Sequence, residues 1–76
     1  MSLQEYQVKE LQKDYERIEY QFKEWLKTKD PKDLKKMYKL KKELKSMLFY
    51  ALEFKFPIQV KRIKYLLNDF DKIIND

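Results

Sequence analysis

Lys29-Asp30-Pro31-Lys32-Asp33 decides the architecture of this chain, because the same five residues stop one helix and start another. Asp30 has the short acceptor side chain of a helix N-cap. Pro31 arrives with its backbone angle already set for the first helical position, and Asp33 places a negative charge in the first turn, against the positive end of the helix. The residue before a proline avoids helical angles, so a helix arriving from upstream ends near residues 27–29. A connection this short makes the helices on either side antiparallel neighbours.

Upstream, over residues 2–28, Val8, Leu11, Tyr15, Ile18, Phe22 and Trp25 recur at steps of 3, 4, 3, 4 and 3. That spacing lines one face of a helix and favours coiled-coil-like packing. Glu5 with Lys9 and Glu19 with Lys23 add i,i+4 pairs on the polar side. Downstream, over residues 31–55, Met37, Leu40, Leu44, Met47, Ala51 and Phe54 repeat the same steps, and Leu34, Leu48 and Leu52 widen the stripe. The first half of this segment is Lys-rich and amphipathic. The second half, residues 47–54, is apolar nearly all round, a pattern that needs cover on more than one side.

Pro57 ends or kinks the second helix and suits the start of a third. Over residues 58–75, Val60, Ile63, Leu67, Phe70 and Ile74 form a third seam, flanked by Leu66 and Ile73. Phe54, Phe56, Ile58 and Val60 also alternate with a strand-like period of two. Four positions with a proline among them, between two strong helical patterns, make a poor strand. The expected fold is therefore all-α: an antiparallel three-helix bundle, a long helical hairpin plus a shorter third helix, in one domain over residues 1–76.

Composition narrows the chemistry. The 76 residues contain no Gly, Cys or His. Disulfides, thiolate or imidazole metal sites, Cys-His and Ser-His-Asp catalysis and glycine-rich phosphate loops are all excluded. Glu16 and Glu19 share a helix face, as do Asp14 and Arg17, but they sit on the polar side, and acid–base catalysis needs carboxylates in a dry cleft. No Glu lies on a seam, so a di-metal bundle site is not expected either. The reading is a non-enzyme without cofactor. No apolar run reaches the length of a membrane span, and the first residues lack the basic and apolar regions of a signal peptide, so a cytoplasmic protein is expected.

Two surfaces are candidates for binding. Twelve aromatics make up 16% of the chain, and Tyr20, Phe49, Tyr50 and Phe56 fall off the seams. Aromatics anchor interfaces, so these four are the expected protein-interaction residues, clustered on the apolar end of the second helix. The regular seams also suggest self-association, most simply a twofold homodimer. The alternative is a basic face. The net charge is +5, and residues 32–45 alone hold seven Lys against Asp33 and Glu43. At 100° per residue, Lys32, Lys35, Lys36, Lys39 and Lys42 share about a third of the helix circumference, with Tyr50 further along that side. Such a stripe suits sequence-tolerant nucleic-acid binding, since Lys is a point charge without bidentate geometry. It suits a solvated face of a lysine-rich protein first, and an acidic protein or anionic membrane surface is a further alternative. A helix-turn-helix reading fits poorly, because the first two helices are long and no Gly is available for the turn.

Overall fold

The computed structural model describes residues 2–74 and contains three helices: α1 (Leu3–Thr28), α2 (Leu34–Glu53) and α3 (Pro57–Ile73). No strand occurs among the described residues. The bundle measures 41 × 20 × 16 Å, with α2 and α3 in the most extensive contact and α1 packed on both.

Each helix end has a local cause. Ser2 caps α1, its hydroxyl accepting the Glu5 N–H at 3.2 Å. At the other end Lys29 takes a left-handed conformation (φ 50°), and its N–H donates to the Trp25 carbonyl at 2.7 Å. The Trp25 indole N–H then donates to the Asp30 carbonyl at 2.9 Å, holding the connection against the core. Asp30 caps the next element as its residue type predicts, with Oδ1 accepting the Lys32 N–H at 2.9 Å. The first turn after it, Pro31–Asp33, is 3₁₀-helical and leads directly into α2.

The second connection differs from the sequence reading in an instructive way. α2 ends at Glu53 rather than 55, because Lys55 is left-handed (φ 60°). The Lys55 N–H donates to the Leu52 carbonyl at 3.3 Å and the Phe56 N–H to the Ala51 carbonyl at 2.9 Å. This pair of reversed bonds is a Schellman motif, which folds the residue two beyond the cap back onto the helix. That residue is Phe56, and it is 5% exposed. Phe54, expected on the seam, is 42% exposed. The two aromatics have exchanged roles because the helical period stops at Glu53. Pro57 is the first residue of α3, one earlier than expected. The helix ends at Ile73, Ile74 being extended; the expected end at 75 lies outside the described residues.

The core otherwise follows the three seams. Ile18, Phe22, Met37, Leu44, Ile63, Phe70 and Ile74 are its most completely buried side chains. Phe22 stacks on Phe70 with ring centroids 3.9 Å apart, joining α1 to α3. Lys41 is also buried, although it belongs to the lysine-rich segment. Its Nζ lies 2.6 Å from Asp71 Oδ1 and donates to the Ile74 carbonyl at 3.2 Å. It thus ties α2 to the last turn of α3, where a cation also suits the negative helix end.

Candidate interaction surfaces

The α2–α3 connection collects apolar side chains that the core does not use. Phe49, Leu52, Phe54 and Ile58 all stand exposed around it. Phe49 and Leu52 do so because α2 is apolar on every side near its end and α1 and α3 cover only part of it, whereas Phe54 and Ile58 flank the connection itself. Tyr50 is half-buried, its ring 4.6 Å from that of Phe54. The start of α1 arrives at the same end: Gln7 faces Tyr50, and Gln4 and Val8 flank Phe56. This brings exposed Leu3 and Tyr6 to the same end of the bundle.

The four aromatics expected to bind a partner therefore separate. Phe49 is exposed and Tyr50 partly so, both within the apolar end. Phe56 lies under that end as core, so its side chain offers no free surface. Tyr20 is exposed but distant. The Arg17 guanidinium pairs with the Glu43 carboxylate, which fixes the antiparallel register of α1 and α2. On that register Tyr20 stands roughly 15 Å along the axis from Phe49 at 1.5 Å per residue. Leu3, Tyr6, Leu52, Phe54 and Ile58 are not among the expected interaction residues: Phe54 and Leu52 belong by spacing to the second seam and its flank, and Leu3, Tyr6 and Ile58 carry no signal beyond being apolar near a helix end.

The five stripe lysines, Lys32, Lys35, Lys36, Lys39 and Lys42, are all exposed, and none forms an ion pair among the described residues. Their neighbour Lys41 is withdrawn into the core, as described above. The stripe is thus a run of like charges on the outer side of α2.

The depressions between the helices differ in the polarity of their linings. Between α1 and α2, Glu10, Asp14 and Glu43 rim a shallow hollow, with Arg17 bridging Asp14 and Glu43. Between α1 and α3, Tyr15 donates its hydroxyl proton to Glu19 at 3.1 Å. Burial, reinforced by the neighbouring Glu19 carboxylate, pushes the Tyr15 phenol up to about 12. Between α2 and α3, a groove of about 550 Å³ near the connection is lined mainly by apolar atoms, with Lys55, Lys61 and Lys64 at its edges. No group of three or more acidic residues among those described is placed to hold a metal ion. No helix among them is long and apolar enough to cross a membrane. Comparison with protein-family models, curated protein sequences and solved structures gives no match.

Proposed function

We propose that this chain is a non-catalytic helical protein-interaction module, acting as an adaptor, inhibitor or small subunit of a complex and associating with itself. The observation that carries this reading is the concentration of exposed apolar side chains at one end of the bundle. Phe49 and Ile58 are 72% and 64% exposed there, and Leu3 is 73% exposed. Isolated surface leucines need no explanation, but apolar groups gathered at one end are a feature of interaction sites. Sedimentation at micromolar concentrations tests the self-association. The expected result is a species heavier than the 9.6 kDa monomer, reduced to monomer by Phe49→Ser with Ile58→Ser. A monomer throughout overturns the homodimer. Pull-downs with the same variant locate the surface used for a foreign partner.

A second reading is supported by the unpaired lysine stripe. Engagement of about four phosphates gives a log–log salt slope of roughly −3 to −4. Lys36→Glu with Lys39→Glu leaves the helix intact and abolishes binding. Absence of binding to labelled duplex, single-stranded DNA and RNA at low salt removes this reading.

A further inference from the structure

The geometry points to the groove between α2 and α3 as a docking site for an acidic amphipathic helix of a partner protein. This inference rests on the interaction-module reading and names the partner's chemistry. The groove floor is apolar: Leu52, Pro57 and Val60 line it, with Phe56 buried beneath them. Its charged edge is entirely cationic: Lys55, Lys61 and Lys64 line it, and no acidic residue does. None of the three forms an ion pair among the described residues. The hollow between α1 and α2 differs on this point, because Arg17 already bridges two of its carboxylates.

The three cations are set by the fold. Lys61 and Lys64 are one turn apart on α3 and share an edge. Lys55 stands at the mouth on a backbone fixed by the two reversed bonds of the Schellman motif. Three positive charges over an apolar floor match a ligand that is apolar on one face and acidic beside it.

The occupant's backbone form follows from the walls. The walls are the last turn of α2 and the first turns of α3 with the connection between them, so no sheet edge is available to an extended peptide. An extended segment laid on this floor would leave its own N–H and C=O groups without partners. A helix brings those groups already satisfied. From Pro57 to Lys64 the groove runs about 10 Å along α3, or two helical turns at 1.5 Å per residue. Two turns present apolar side chains at i, i+3 or i+4, and i+7, with acidic residues on the flanks reaching the lysines.

The test is a displayed library of helical peptides selected against the full chain. Apolar positions vary among Leu, Ile, Phe and Met; flanking positions vary among Asp, Glu, Gln, Lys and Arg. The expected result is enrichment of Asp and Glu at the flanks. Polarization with the enriched peptide should then show a loss of about tenfold or more for Lys61→Glu with Lys64→Glu, recovered by a peptide carrying Lys at the flanks. Both lysines are exposed, so circular dichroism of the variant should match the parent. Enrichment of basic or neutral flanks, or no enrichment, overturns the proposal. So does acidic enrichment whose binding survives the double reversal but is lost in Phe49→Ser with Phe54→Ser. That last outcome moves the site to the apolar end and leaves the interaction-module reading standing. Binding of a labelled oligonucleotide or of phosphatidylserine vesicles through Lys61 and Lys64, with no peptide enriched, overturns it in favour of a polyanion site.

Discussion

The Lys41 ammonium lies 2.6 Å from the Asp71 carboxylate, yet Lys41 is almost wholly buried while the Asp71 side chain is 57% exposed. The pair is therefore lopsided: one member is withdrawn from solvent and the other retains water. Removing the exposed member takes away the carboxylate that balances a buried cation, which then keeps the Ile74 carbonyl, and this costs more than losing a surface ion pair. Asp71→Ala is expected to lower stability by about 1–3 kcal/mol. Lys41→Ala should cost at least as much, since it also deletes packed methylenes. Lys42→Ala, next along the chain and exposed, should stay within about 0.5 kcal/mol. Urea melts of the three variants decide the ordering.

Two lysines occupy backbone conformations that suit glycine, Lys29 at φ 50° and Lys55 at φ 60°. Glycine removes the clash of Cβ with the carbonyl but loosens the unfolded chain. The net gain from Lys29→Gly or Lys55→Gly is expected to be about 0.5–1 kcal/mol, raising the melting temperature by roughly 2–8 °C. Alanine at either position retains the clash and should give no such gain.

Phe54 and Phe56 offer a direct contrast. Phe56→Ala empties a core position and should cost about 3–4 kcal/mol. Phe54→Ala removes an exposed ring and should cost less than about 1 kcal/mol. Equal effects would contradict the reversed-bond geometry of the turn.

The Tyr15 phenol sits near 12 rather than at its ordinary 10.0. Between those values the unfolded chain ionises at this position while the folded chain does not. The folded state thus binds the extra proton, and its contribution to stability is complete below pH 10 and lost as pH rises through 12. Tyrosinate absorbance should show a step near pH 12 that Tyr15→Phe abolishes, and the alkaline loss of stability should become shallower in that variant.

The helix seams and the first turn were legible because each rests on local chemistry. Phe22, Leu44 and Phe70 are buried where their 3-4 spacing puts them, and Asp30 caps where its side chain can reach. Phe56 was misread because a period was carried beyond the point at which the helix ends, and a left-handed lysine gives no compositional warning of that end. Lys41 counts in the sequence only among the seven lysines of residues 32–45 and falls off the stripe; it adjoins Leu40 and lies one turn from Leu44, so its position is at the edge of the seam although its type suggests the surface. Tyr20 is off the seam, as expected. A helical period fixes angle around the axis, however, while distance along it depends on which neighbour the helix meets. The lysine edge of the α2–α3 groove combines residues from two helices and a turn, a juxtaposition that only packing creates.

An odd number of antiparallel helices has a practical result for anyone handling this protein. α1 and α3 run in the same direction, so residue 2 and residue 74 lie toward opposite ends of a body 41 Å long. A dye, bead or fusion attached next to residue 2 crowds the end where Leu3, Tyr6 and Phe54 are exposed. Attachment beyond residue 74 leaves that end and the groove open to solvent. The orientation of a tag therefore decides whether a binding assay samples these surfaces or masks them.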